Sequence, residues 1–206
     1  MAQLLYIEAS PLKARSHSIH VASEFLKAYA EINRQDEIEV IDLWQTKLPP
    51  FDRETIEAKF AVLRKKELTP EQQARWDRVR AVSRRFNAAA KYVFSVPMWN
   101  FSIPYPLKHY IDVVTLAGEN WSWSPEEGYR SLLSGKKALM IYASAGDYRP
   151  GDASDFQKPY LRRWLNFIGI RDIHEINVAP TLTTDDGLAR IRCNARNAAV
   201  ELAAGF

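Results

Sequence analysis

Five short apolar runs that alternate with helical patterns constrain the fold of this chain more than any other feature. Between the runs, apolar residues recur with the period of an amphipathic helix, as at Leu107, Tyr110, Ile111 and Val114. Strands that alternate with helices pair in parallel through right-handed crossovers. The sequence therefore predicts an α/β fold with a doubly wound, five-stranded parallel sheet in the strand order 2-1-3-4-5. The five predicted strands are residues 3–9, 38–43, 92–96, 137–143 and 173–178.

Composition does not change along the chain, so we expect a single domain over residues 1–206. A capping-box pattern at Thr69 predicts a helix over residues 70–90. Residues 53–66 fit either a short polar helix or part of a long insertion. Aromatic residues within 121–128 indicate a short hairpin or lid.

Charge and cysteine content exclude several classes of function. The formal net charge is only +3 and basic residues stand beside acidic ones, so we expect no nucleic-acid binding. A single cysteine, Cys193, cannot form an internal disulfide, and the histidines lack the spacing of metal ligands. No secretion signal begins the chain, and no apolar run reaches about 20 residues. We therefore expect a cytoplasmic protein without a metal or a membrane span.

Three loops, after the first, third and fourth predicted strands, are rich in polar or aromatic residues. The strand order makes them neighbours at the carboxyl edge of the sheet, where open α/β sheets bind ligands. The first loop carries Ser10, Ser16, His17 and Ser18 and leads into a helix, whose free amides and dipole favour an anion. It lacks the glycines of a Walker loop or a dinucleotide fingerprint. A single phosphate suits this loop.

The loop after the third strand presents flat apolar groups around an amide. Met98, Trp99 and Phe101 can lie on a ring, and Asn100 can donate and accept hydrogen bonds at the ring's edge. A planar heterocycle that carries one phosphate fits both loops.

The segment Pro97-Met98-Trp99-Asn100-Phe101, followed by Leu107-Lys108 and Asp112, resembles the PMYNF...LK...D signature of the FMN-dependent NADH azoreductases, which are also NAD(P)H:quinone reductases. The first loop is similar to their phosphate loop. The resemblance implies a flavodoxin-like homodimer with noncovalent FMN. NADH or NADPH would reduce the FMN, and quinones, azo dyes or nitroaromatics would then take the electrons at the same face, in a ping-pong mechanism. The implied FMN-binding residues are Ser10, Ser16, His17, Ser18, Met98, Trp99, Asn100, Phe101, Ser144, Ala145, Gly146 and Asp147.

This chain departs from the family pattern at two places. Trp99 stands where the family usually has tyrosine, and Ser144-Ala145-Gly146-Asp147 stands where a serine precedes two glycines. Asp147 would add a negative charge near the flavin and so lower its reduction potential. Because the flavin carries the hydride chemistry, we assign no catalytic acid or base, although Tyr148 or His17 could supply a proton. Aromatic candidates for the walls of a substrate pocket, within the chain or across a dimer interface, are Trp121, Trp123, Tyr148 and Phe156.

Other interpretations of these residues stay open. Ser10, Ser16 and Ser18 are also typical of turns and helix caps, and Trp99 and Phe101 could be ordinary core residues. A one-electron flavodoxin carrier would share the fold, but an acidic docking surface would be expected there, and this chain is slightly basic. A non-flavin interaction domain on the same scaffold is the third possibility.

Overall fold

A parallel five-stranded sheet forms the centre of the computed structural model, which describes residues 2–206. In chain order its elements are β1 (Gln3–Glu8), α1 (His17–Ile32), β2 (Glu37–Asp42), α2 (Arg53–Leu63), α3 (Pro70–Ala88), β3 (Lys91–Pro97), α4 (Tyr105–Val114), β4 (Trp121–Ser124), β5 (Gly128–Ser131), β6 (Lys137–Ala143), α5 (Lys158–Ile168), β7 (Asp172–Val178) and α6 (Asp185–Ala203). The sheet order is β2-β1-β3-β6-β7. Because β4 and β5 form a separate two-stranded sheet, β6 and β7 are the fourth and fifth strands of the main sheet. The predicted order 2-1-3-4-5 is therefore confirmed.

The sequence of each strand matches its place in the sheet. Leu4, Leu5 and Ile7 of β1 are fully buried because helices cover both faces of this central strand. In β2, Ile41 is buried while Val40 is exposed, the alternation expected of a strand at the sheet edge.

Two helical layers cover the sheet. On one face α3, α4 and α5 pack on β3 and β6 through rings such as Phe86, Phe94 and Trp164. On the other face α1 and α6 pack through Phe25 and small residues such as Ala199. No helix within residues 2–206 has both the length and the apolar character needed to cross a bilayer.

Local signals set the helix boundaries on the α3 side. The capping box at Thr69 is present: its hydroxyl accepts from Gln72 N at 3.3 Å, and Gln72 Oε1 accepts from Thr69 N at 3.1 Å. The helix ends at Ala88, two residues before the predicted end. Between β2 and α3, the short-helix interpretation is confirmed by α2, which Asp52 caps.

The aromatic hairpin, defined as β4, β5 and their turn, lies at the amino edge of the sheet. Asn120, just before it, donates to Val114 O at the end of α4 (2.6 Å) and to Asn87 Oδ1 near the end of α3 (3.1 Å). Leu133, just after it, donates from N to Ile168 O at the end of α5 (3.1 Å). These helices end at the edge opposite the loops that follow β1, β3 and β6. The interpretation that Trp121 and Trp123 wall a substrate pocket beside those loops of their own chain is therefore wrong, because the two residues lie at the opposite edge of the sheet.

We predict that Gly169→Ala destabilises the protein by about 3 kcal/mol, since alanine strains a left-handed residue and also meets a packed neighbour. Gly169 ends α5 with φ 104°, and an added Cβ would overlap the carbonyl oxygen of Leu133. Gly118 is the matched control: its φ is 80° but nothing surrounds the Cβ position. Gly118→Ala should cost only about 1 kcal/mol. Urea midpoints measure both changes, and equal losses would contradict the predicted overlap with Leu133.

Candidate functional site

The three ligand loops, which follow β1, β3 and β6, meet at the carboxyl edge of the sheet. Ala9 N, just past β1, donates to Ser95 O of β3 at 3.1 Å. Met98 N, just past β3, donates to Ala143 O of β6 at 2.7 Å. Since β3 lies between β1 and β6, the residues predicted from the three loops share one edge.

The first loop enters α1 through a cluster of buried serines. The hydroxyl of Ser16 caps the helix, accepting from Ile19 N at 3.4 Å, and lies 3.3 Å from the hydroxyl of Ser18. Ser10 Oγ accepts from Leu12 N at 3.4 Å. The turn role of Ser10 and the cap role of Ser16 are therefore present.

The helix N-terminus in this loop keeps free donors. Within residues 2–206, the backbone N–H groups of His17 and Ser18 make no hydrogen bond, and the first turn of α1 holds no carboxylate. Lys13 is not a free cation, because its ammonium group pairs with Glu8 at 2.7 Å and also with Asp42. Amides at the positive end of a helix dipole form an anion site.

Arg192, on α6, contacts this loop and was not identified from the sequence. Its Nε–H donates to Nδ1 of His17 at 3.0 Å. Burial lowers the pKa of His17 below its usual value, and the nearby charges of Arg192 and His20 lower it further. Because 175 positions separate Arg192 from His17, no local sequence pattern indicates this contact.

The loop after β3 is held in a strained turn. Trp99 and Ser102 exchange backbone hydrogen bonds of 2.9 and 3.0 Å, which closes a four-residue turn. Its central residues, Asn100 and Phe101, have φ of 46° and 70°. Such left-handed geometry suits Asn and Gly but costs a bulky residue about 1–2 kcal/mol. Strain of this kind clusters at functional sites, where surrounding contacts hold it.

The rings of this loop are presented to solvent. Trp99 is 36% exposed and Phe101 is 52% exposed, so the interpretation of both as core residues is wrong. The Trp44 ring packs against the Trp99 ring: the two ring centroids lie 5.6 Å apart, and Nε1–H of Trp44 donates to Ala9 O at 3.1 Å. Trp44 was missed because only the folded chain brings the segment after β2 against this loop.

The loop after β6 contributes backbone more than side chains. Ser144 O accepts from both N and Oγ1 of Thr181, at 2.9 and 3.1 Å, while its own hydroxyl donates to Gly146 O at 2.8 Å. Ala145, Gly146 and Asp147 are exposed. The Asp147 carboxylate therefore lies in water, which screens its field.

The continuation of that loop packs on the strained turn. Phe156 N donates to Phe101 O at 2.9 Å, and Gln157 Nε2 donates to Val96 O at 3.2 Å. Gln157 Oε1 is buried without a partner among residues 2–206. The predicted wall residues Phe156 and Tyr148 thus lie at the carboxyl edge of the sheet, with the three loops, whereas Trp121 lies at the amino edge.

Comparison with known proteins places the chain in a family. A family model described as a flavodoxin-like fold matches residues 2–202. Over 205 residues, the chain is 42% identical to an FMN-dependent NADH:quinone oxidoreductase of Desulfotalea psychrophila, a match covering 98% of this chain and 97% of the relative. The chain belongs to this family of enzymes. A more distant member, FMN-dependent NADH:quinone oxidoreductase 1 of Bradyrhizobium diazoefficiens, is 32% identical over the full length of both chains.

Solved structures of the family share the fold. An FMN-dependent NADH-azoreductase from Bacillus anthracis str. Ames Ancestor, in complex with FMN, is 31% identical with a TM-score of 0.87 and covers 98% of this chain and 97% of its own. An azoreductase from Bacillus anthracis str. Sterne is 25% identical with a TM-score of 0.91 over both full chains. The resemblance drawn from the Pro97–Phe101 motif is confirmed.

We predict that Phe101→Gly is more stable than Phe101→Ala by about 1 kcal/mol, because glycine accepts a positive φ without strain. Both variants remove the same ring, so their difference isolates the backbone. Ser102, which does not have a positive φ, is the control: there alanine should be the more stable by about 0.5–1 kcal/mol. Urea midpoints of the four variants test the reversal, and the same order at both positions would refute the strain.

Proposed function

We propose that this protein is an FMN-dependent NADH:quinone oxidoreductase that also reduces azo compounds, built as one domain over residues 1–206. One observation carries the proposal: a free-amide anion site and a strained turn with exposed rings lie along the same sheet edge. The names of the relatives and the azoreductase with bound FMN support it.

The residues of this edge fit FMN in chemistry. The amides of His17 and Ser18, with the serine hydroxyls, would hold the phosphate. Asn100 would hydrogen-bond the edge of the isoalloxazine, and Trp99 and Phe101 would pack on it. The exposed backbone that follows β6 would contact its other edge. The proposed cofactor-binding residues are those of the resemblance: Ser10, Ser16, His17, Ser18, Met98, Trp99, Asn100, Phe101, Ser144, Ala145, Gly146 and Asp147.

Bound FMN supplies the redox chemistry, taking hydride from NADH or NADPH and passing electrons to the acceptor. The protein's part is to orient the cofactor, the nucleotide and the acceptor and to exclude water from them. Flat acceptors such as quinones, azo dyes and nitroaromatics would suit the open face of a flat ring that Trp99 and Phe101 support. Nucleotide and acceptor would use one open face in turn, which is a ping-pong mechanism. We assign no side chain as catalytic acid or base.

We also propose a cytoplasmic homodimer, in which the aromatic hairpin of one copy covers the site of the other. In the hairpin Trp123 is 57% and Tyr129 is 68% exposed, although the Tyr129 ring also contacts Trp121 and Phe167, so the hairpin presents a large apolar surface to solvent. Sedimentation analysis tests the dimer, and a monomer at micromolar concentration would refute it. The single cysteine supports a reducing compartment.

The proposed activity is tested by loading the purified protein with FMN and measuring NADH oxidation with a quinone and an azo dye. We expect a flavin absorption spectrum, and parallel double-reciprocal plots when both substrates are varied. A protein that binds FMN but turns over neither acceptor would instead be an electron carrier. A protein that binds no FMN would be an interaction domain on this fold.

We predict that Asn100→Ala weakens FMN binding by about 1–3 kcal/mol, because hydrogen bonds at the edge of the ring are lost. Alanine also fits the left-handed backbone less well, so Asn100→Gly, which keeps that backbone, should show a similar loss. The exposed Asn194 on α6 gives the control variant Asn194→Ala, expected to bind as the wild type. Titration of flavin fluorescence measures all three; unchanged affinity in both Asn100 variants would contradict the assigned ring position.

A further inference from the structure

Arg192 differs from the other arginine that joins α6 to α1. Arg196, one turn further along α6, pairs with the carboxylate of Glu24 at 3.1 Å. Arg192 pairs with no carboxylate in the described part of the chain, and its hydrogen bond goes to the ring of His17. Its positive charge is therefore uncompensated by the protein.

The position of this charge is electrostatically unfavourable in the protein alone. His17 is the first residue of α1, where the helix dipole already presents its positive end. No acidic residue lies in the first turn of α1, and the adjacent amides of His17 and Ser18 are free donors. A cation beside two free amides and a positive dipole end fits a resident anion.

The hydrogen bond also fixes the chemistry of the His17 ring. Because Nδ1 accepts from Arg192, the ring is neutral and carries its proton on Nε2. Nε2 has no partner within residues 2–206, so it is a free donor. Burial lowers the pKa of His17 below its usual value, and the Coulombic effects of Arg192 and then of His20 act in the same direction, so the neutral ring is favoured.

We propose that Arg192 is a positioning residue of the phosphate site: it holds His17 as a neutral Nε2–H donor and supplies the positive charge that the cofactor phosphate meets. This inference rests on the proposed function. It adds a cation from α6 to a loop whose own basic residues are Lys13, which is paired with Glu8 and Asp42, and the exposed Arg15.

Comparison of FMN with riboflavin tests the proposal, because the two flavins differ only by the phosphate. In the flavin-free protein, Arg192→Gln should weaken FMN binding about tenfold and leave riboflavin binding unchanged, as loss of a charge-assisted contact implies. Arg192→Lys keeps the charge but not the planar guanidinium, so its affinity for FMN should lie between those of the wild type and Arg192→Gln. Arg196→Gln, the matched control, should bind both flavins as the wild type does.

A second readout is independent of flavin binding. In 15N-labelled wild type without flavin, long-range 1H–15N spectra should show His17 protonated on Nε2. In Arg192→Gln the pKa of His17 should rise, because a neighbouring cation is gone. Adding inorganic phosphate to the flavin-free wild type should likewise raise the His17 pKa, since an anion favours the charged ring.

The outcomes separate the two proposals. A wild type that binds FMN no better than riboflavin overturns the phosphate site of the proposed function. A wild type that prefers FMN, with the same preference in Arg192→Gln, overturns the role of Arg192 alone. If Arg192→Gln does not fold, the tautomer and the pKa of His17 in the wild type test the proposal. A His17 protonated on Nδ1, or a His17 pKa that inorganic phosphate does not raise, refutes it.

Discussion

Because β3 pairs in parallel with β1 on one side and with β6 on the other, the loops after all three strands leave the same edge of the sheet. Backbone hydrogen bonds continue this pairing one residue into the loops, from Ala9 to Ser95 and from Met98 to Ala143. The positions of the free amides, of the strained turn and of the exposed backbone after β6 all follow from that arrangement. Packing on both faces of β3 fixes it, since a slip of one residue would move Phe94 and its neighbours to the opposite face, where their packing partners differ.

Two locally unfavourable arrangements lie at this edge. Phe101 sits in a left-handed conformation, held by the Trp99–Ser102 hydrogen bonds and by Phe156 N. Arg192 sits at the positive end of a helix dipole without a carboxylate partner in residues 2–206. Elsewhere caps, core packing and ion pairs agree with the fold, as at Thr69 and Arg196. Such exceptions are expected where a protein meets a ligand.

The sequence predicted the sheet well because buried parallel strands are continuous apolar runs, which few other structures produce. It also located the three loops, since the ends of strands and the composition of loops are both local patterns. It did not predict the contact of Trp44 with Trp99 or of Arg192 with His17, because these contacts join segments far apart in the chain. The left-handed turn was missed for a different reason: Phe101 has no preference for it, and tertiary contacts impose it. The sequence predicted the hairpin. It did not predict the edge of the sheet at which the hairpin lies, because that depends on where α4 ends.

The two free donors at the start of α1 belong to the main chain, at His17 and Ser18. A peptide N–H is the same whichever side chain its residue carries, proline excepted. Substitution of the side chain at either position, other than by proline, would therefore leave its backbone donor in place. Under the proposed function, the amide part of the phosphate site would follow from the fold, whereas the contributions of His17 and Arg192 would depend on their side chains.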